Sequence, residues 1–255
     1  MSDQWNCNPS QFFSYYPKYE YLDNVISTTQ RRRLNIYVDV KGCAQALFQE
    51  WAVKHVIFNS QGARSVDTSL FSAIVEFIAF HKMYGKKRDI DVHLYFFMES
   101  GPSKYHADIY PDYKANRKQS DFFGLDMAHR ELFFNVIDKN YTVTEKVVNR
   151  LPNVSFIRLR RTEADFIPWY IMKYSLPVAD VDSAANIIYS TDKDMLQCLD
   201  GPNMFQFSRT FKHIKMIAWD DVYGHWPKID TNPEIKSEWF PMALAVVGDA
   251  SDGYD

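Results

Sequence analysis

The chain has 255 residues, 46% of them hydrophobic and 24% charged, with a formal net charge of −3. That length suits one large domain or two small ones with a substantial core, and no apolar run approaches the ~18–20 residues of a membrane span. The slight acidity excludes no polyanionic partner, because phosphate binding depends on where positive charge lies rather than on its total.

Positive charge is gathered at Arg31–Arg33, Lys86–Arg88, Lys114–Arg117–Lys118 and Arg158–Arg160–Arg161; each cluster taken alone reads as a solvated surface. Met1–Ser10 lacks the apolar core of a signal peptide. Cys7, Cys43 and Cys198 form no CxxC pair, which argues for a reducing compartment and against a structural zinc site. The seven histidines form no HxH or HExxH pattern and read as surface or satisfied core residues.

Residues 1–33 are aromatic and polar without a clear period and read as an N-terminal arm packed on the main domain, 34–255. Leu34–Val40 alternates and is β-branched, a strand bounded by Gly42. A helix is predicted over Ala44–Phe58, and Phe71, Ile74, Val75 and Ile78 lie at helical spacing within Thr68–Tyr84, with Gly85 as a stop. Val92–Met98 reads as a buried strand. The polar, Tyr- and Lys-rich stretch 100–124 reads as a long, partly helical excursion of the kind that often carries function. Helices follow over Asp126–Lys139 and Thr144–Leu151, then a strand at Val154–Leu159 and a helix at Ala164–Tyr174. A strand at Asn186–Ser190, a short helix at Lys193–Leu199, strands at Met204–Ser208 and Ile214–Trp219 and a helix at Glu238–Val247 complete the chain. Strands alternating with helices predict an α/β fold with a mostly parallel central sheet flanked by helices. The ligand site of such a sheet lies beyond the carboxyl ends of its strands.

Acidic residues recur at those ends. Asp39 ends the first strand, Glu99 follows the second, Glu163 and Asp165 follow the third, and Asp192 and Asp194 follow Asn186–Ser190; Asp249 and Asp252 close the last helical segment. In a parallel sheet the first six converge on one edge. Gathered carboxylates repel one another and raise each other's pKa. Hard divalent cations with oxygen ligands, Mg²⁺ or Mn²⁺, relieve this, and two ions ~3.5–4 Å apart suit phosphodiester hydrolysis. Taken alone, an Asp after a strand is as readily a helix cap, but capping offers no reason for the pairs Asp192/Asp194 and Asp249/Asp252.

Five stretches resemble the 5′ nucleases, the family of flap endonucleases, the 5′→3′ exonuclease of bacterial DNA polymerase I and phage ribonuclease H. They are Tyr37–Val40, Tyr113–Lys118 (YKANRK), Glu163–Asp165, Ser190–Gln197 (STDKDMLQ) and Gly248–Asp252 (GDASD), in the family's order. The resemblance implies a resolvase-like, PIN-like α/β domain with a helical arch over about 100–124. It implies two metal sites. Asp39, Glu99, Glu163 and Asp165 would lean to the first ion and Asp194 and Asp252 to the second, with Asp192 near both and Asp249 alongside. Lys114 and Arg117, in the arch, would contact the scissile phosphate. The implied activity is 5′→3′ exonuclease or flap endonuclease cleavage of DNA or RNA–DNA hybrids, in primer removal or repair, with Mg²⁺ or Mn²⁺ as cofactor. Partners would be DNA with a 5′ flap or 5′ end, RNA–DNA hybrid and replication proteins, with no membrane, in the cytoplasm of a bacterial or phage-infected cell. The sequence departs from the family in Glu99 where Asp is usual, in Phe166 after Glu163-Ala164-Asp165, in His106 where an Arg commonly precedes the arch motif, and in ending near the point where a helix-hairpin element usually continues. The alternative is a catalytically weakened nucleic-acid-binding or complex-forming relative; a PIN-type endoribonuclease is opposed by the arch motif.

Overall fold

The computed structural model describes residues 19–42, 62–100, 108, 138–139, 141–209 and 214–220. The predicted helices at Ala44–Phe58 and Glu238–Val247, the arch apart from Ser100 and Asp108, most of Asp126–Lys139, and Lys114, Arg117, Asp249 and Asp252 lie outside the described residues.

Six strands form one sheet in the order β3-β2-β1-β4-β5-β6. They are β1 (Arg33–Asp39), β2 (Asp91–Ser100), β3 (Val154–Arg160), β4 (Ala184–Tyr189), β5 (Met204–Arg209) and β6 (Ile214–Ala218). All pair in parallel except β6, which runs antiparallel to β5. The mostly parallel α/β architecture predicted from the sequence is therefore the one observed. Around the sheet lie α1 (Tyr19–Thr29), α2 (Gly62–Arg88), α3 (141–148), α4 (Phe166–Tyr170) and α5 (Val178–Asp182).

Period-two alternation sorts the strand side chains onto two faces. Leu34, Ile36, Val38, Leu94, Phe96, Ile187, Tyr189, Phe205 and Phe207 face one way, against Leu22 and Val25 of α1, Ile74, Phe77 and Tyr84 of α2, and Tyr141 and Val148 of α3. Tyr37, Tyr95, Phe97 and Ile188 face the other way, against Ile167, Ile171 and Met172 after β3, Val181 of α5 and Met195. The same alternation puts Asn35, Asp39, Glu99, Asn186 and Ser190 on this second face. At its far end Asn35 and Asn186 are strand partners and hydrogen-bond each other at 3.1 Å. Asn186 also donates to Val181 O at 2.9 Å, so the buried amides are satisfied and α5 is fastened.

Several elements differ from the sequence reading. The described part of the N-terminal segment is an 11-residue helix, α1, whose few apolar positions are too sparse to announce a period but bury Leu22 and Val25 completely. Asp23 holds it to the end of α2, accepting from Arg88 Nε at 2.9 Å and from Tyr84 OH at 3.1 Å. Gly85 is not a stop. The helix runs on to Arg88 and ends at Asp89, whose φ is 55°, with Ile90 N donating to Gly85 O at 2.9 Å. The predicted helix at Ala164–Tyr174 is a five-residue α-helix followed by a π-helical turn, Ile171–Ser175. Pro168 lies within its first turn, where the missing N–H is tolerated.

Histidine 81 is fully buried, with its ring nitrogens 2.8 Å from Phe77 O and 3.1 Å from Tyr189 OH. Burial lowers its pKa to about 4, so it is a neutral core residue. Among the described residues no helix is long and apolar enough to cross a membrane.

A Cβ on Gly85 would lie 2.6 Å from Ile90 O and 2.7 Å from Val92 Cγ2. Because Ile90 O is backbone and cannot swing aside, Gly85→Val is expected to destabilise the fold by about 1–3 kcal/mol, read as a lower urea midpoint. An unchanged midpoint would mean that this close approach is absent.

Candidate functional site

Strand order reverses between β1 and β4, where the connection from β1 leads to β2 on one side and β4 lies on the other. Crevices form at such points because the connections leave in opposite directions. The described carboxylates gather there.

Asp39 ends β1 and is 4% exposed. Its Oδ1 accepts from Gly42 N at 2.9 Å and its Oδ2 from Ser190 Oγ at 2.8 Å. Gly42 is required here, since a Cβ would run into the Asp39 carboxylate. Burial pushes the Asp39 pKa up to about 6; the two hydrogen bonds oppose that, while the charges of Asp192 and Glu99 add to it.

Ser190, the residue after β4, links β1 to the next turn. While donating to Asp39, its Oγ accepts from Asp192 N at 3.1 Å. Buried Gln206 on β5 donates to Ser190 O at 3.1 Å and Asp192 O at 2.8 Å, and Thr191 donates to Gly42 O at 3.2 Å. The chain on both sides of the crevice is thus pinned by side chains from its neighbours.

Asp165 stands before α4. Its Oδ1 accepts from Phe166 N at 3.0 Å and its Oδ2 from Gln197 Nε2 at 3.3 Å. Burial and the charges of Glu163, Asp194 and Asp192, in that order, push its pKa up to about 7. Asp192 caps the 3₁₀ turn Lys193–Cys198 by accepting from Asp194 N at 3.0 Å. The capping reading therefore does account for one oxygen each of Asp165 and Asp192, and it links Asp192 with Asp194 through the latter's own amide. Glu99, beyond Phe97 on β2, is paired with Lys41 at 3.0 Å.

These couplings join the six described carboxylates. Asp192 acts on both Asp39 and Asp165; Glu99 joins through Asp39, and Glu163 and Asp194 through Asp165. Asp192 thus lies near enough to raise both Asp39 and Asp165, and Glu163 near enough to raise Asp165. The donor chemistry, carboxylates without imidazole or thiolate, fits a hard divalent cation. Among the described residues, however, no three His, Cys, Asp or Glu side chains close around a single point. Cys198 is buried and its thiol is pushed up by burial, which leaves it protonated and inert.

The sequence did not single out four contributors: Lys41, Gly42 as a steric requirement, Ser190 as the clamp on Asp39, and Gln206. Lys41 and Gly42 directly follow Tyr37–Val40, and a polar Gln between two phenylalanines of a buried strand is a signal that could have found Gln206.

No family model and no curated protein sequence matches the chain. Solved structures do. It is 20% identical to the bacteriophage T5 D15 protein crystallised with metal ions, with a TM-score of 0.57 over 87% of this chain and 68% of that one. The T5 5′-exonuclease with bound zinc gives 20% identity and a TM-score of 0.55, covering 87% and 69%. The T5 D15 flap endonuclease in a pseudo-enzyme–product complex with DNA and metal ions gives 19% and 0.54, covering 87% and 68%. At that identity the likeness shows the fold, that of the PIN-like 5′ nucleases.

A pH response follows from the two raised carboxyls. In the unfolded chain both ionise near 3.8, whereas in the folded, ion-free chain they hold their protons until about 6 and 7. Between those values these two groups bind more protons in the folded state, so their contribution to stability is present in acid and is lost as pH rises through about 6 and 7, more than offsetting the opposite contribution of neutral His81. The thermal midpoint in EDTA is expected to drop between pH 5 and pH 7.5, less so in Asp165→Asn, and Mg²⁺ at pH 7.5 is expected to restore it. A midpoint rising over that interval would contradict the burial described.

Proposed function

We propose that this chain is a metal-dependent phosphodiester hydrolase of the 5′ nuclease type, cutting DNA or RNA–DNA hybrids near 5′ ends. The observation that carries this reading is the linkage of six carboxylates from four strand ends into one group, at the switch point of a fold shared with the T5 enzymes. Asp39, Glu99, Glu163, Asp165, Asp192 and Asp194, with Asp249 and Asp252, would hold two Mg²⁺ or Mn²⁺ ions. When bound, such ions supply Lewis acidity and acidify a coordinated water.

The chain's own residues prepare that chemistry. Gly42 N and Ser190 Oγ fix the Asp39 carboxylate, so its position is set before any ligand arrives. Gln206 and Ser190 do the same for the turn carrying Asp192 and Asp194. A phosphate approaching this edge would be repelled by the bare acids, so cleavage should depend wholly on cations. Lys114 and Arg117, within the arch motif, would meet the scissile phosphate and stabilise charge as it develops. No protein nucleophile is needed. Exonuclease and flap endonuclease action on primers or repair intermediates, in a bacterial or phage-infected cell with replication proteins as partners, is the setting this reading favours.

A second reading, a nucleic-acid-binding relative with weakened turnover, draws on the pairing of Glu99 with Lys41 and on Phe166, 43% exposed beside Asp165. Labelled 5′-flap duplex and RNA–DNA hybrid, incubated with Mg²⁺, Mn²⁺ or EDTA, separate the two. The nuclease reading expects ion-dependent release of short 5′ products and a loss on the order of 100-fold in Asp194→Asn, with an unchanged circular-dichroism spectrum. Binding without cleavage under every ion would support the second reading. An Asp194→Asn rate equal to wild type would remove the two-ion assignment. Lys114→Ala is expected to lower turnover far more than ion affinity, and equal losses would count against the arch role.

A further inference from the structure

The outer side of α4 and of the π-helical turn after it is aromatic where a polar face is the norm. Ile167, Ile171 and Met172 turn inward and are buried against the second face of the sheet. Phe166, Trp169, Tyr170 and Tyr174 turn outward and are 43%, 37%, 51% and 66% exposed. The only charged residue from Phe166 to Tyr174 is Lys173, which is ion-paired with Asp200. Tyr174 gathers the rings into one patch, its centroid 5.4 Å from those of Trp169 and Tyr170. The interplanar angles are 71° and 41°, so neither pair lies face to face and ring faces are left for a planar partner. An exposed apolar patch of this kind marks an interaction surface.

Its occupant follows from where the patch begins. Phe166 N donates to Asp165 Oδ1 at 3.0 Å, so the first ring adjoins the acidic crevice. A strand with a phosphate at Asp165 has its neighbouring nucleotides within reach of the rings. At a helical rise of ~1.5 Å per residue, Phe166 to Tyr174 spans roughly 12 Å, the length of about three bases at ~3.4 Å each. Every base has a π face, so aromatic side chains accept unpaired bases of any sequence, whereas bases within a duplex are already stacked. We propose that Phe166, Trp169, Tyr170 and Tyr174 form a stacking platform for unpaired bases of a single-stranded segment that runs off the crevice. For its choice of occupant this rests on the reading of the crevice as a nucleic-acid-cleaving centre, to which it adds a preference for single-stranded arms. With its one lysine neutralised, the platform offers little to phosphates, so its contribution comes from the bases.

The test titrates the full chain in EDTA, where nothing is cut, with a short oligothymidylate and with an abasic oligomer of equal length. Both carry the same phosphates, so the bare acids repel them equally and the difference reads the bases alone. Wild type is expected to bind the thymidylate on the order of a hundredfold more tightly, with quenching of tryptophan fluorescence. Trp169→Ala and Tyr174→Ala are each expected to weaken thymidylate binding by on the order of tenfold and to leave abasic binding unchanged. Tyr174→Phe, which keeps the ring, is expected to bind as wild type, and Trp169→Phe to keep most of the affinity while losing the quench. Tyr174 is the most exposed of the four, so its truncation tests the platform even if Trp169→Ala does not fold. Equal wild-type affinity for the two oligomers, no thymidylate binding, or wild-type affinity in the alanine variants overturns this inference alone. A wild-type dimer that Tyr174→Ala dissociates would assign the patch to a second copy of the chain and overturn it as well. Thymidylate bound as expected, with no labelled substrate cut under any ion, would instead overturn the hydrolase reading and not the platform.

Discussion

Like charges crowded at the carboxyl edge of a sheet covered on both faces set the terms for the rest of this molecule. Two unit charges ~4 Å apart in a protein environment of effective dielectric ~20 repel by about 4 kcal/mol. A whole domain is stable by only about 5–15 kcal/mol. Six linked carboxylates cannot all be bare and ionised without support. The structure answers with a raised proton affinity at Asp39 and Asp165, with donors aimed at their oxygens, and with one ammonium on Glu99. A donor set of carboxylate oxygens also suits divalent cations.

Holding such a group together requires a scaffold that does not relax. The two faces of the sheet are filled by large side chains, Phe77, Phe96 and Tyr84 on one and Tyr37 and Phe97 on the other, all nearly or wholly inaccessible. The far end of β1 and β4 is fixed by the Asn35–Asn186 pair, so the near end keeps its register. Arg88 and Asp23 close the outer layer by tying α2 to α1. With the register held, Asp39 and Ser190 meet although 151 residues separate them.

Capping and ion binding are not exclusive uses of one carboxylate. Asp165 and Asp192 each give an oxygen to a backbone amide, and those bonds orient the carboxyl group as much as they stabilise the turn. A residue that first satisfies its own backbone arrives at the crevice in one orientation, which is the preorganisation a polar site needs.

The sequence alone determined the order of the six strands and the placement of an acid at or just after the ends of β1, β2, β3 and β4, because alternation and strand length are local properties of the chain. It also carried the five motifs that anticipated the fold. What it left undecided were relations between distant segments: α1 as part of the core, α2 continuing through Gly85, Lys41 on Glu99, and Asp192 acting on both Asp39 and Asp165. Those depend on which strands are neighbours and in what register, and pairing across a sheet is decided by the whole core rather than by any window of residues.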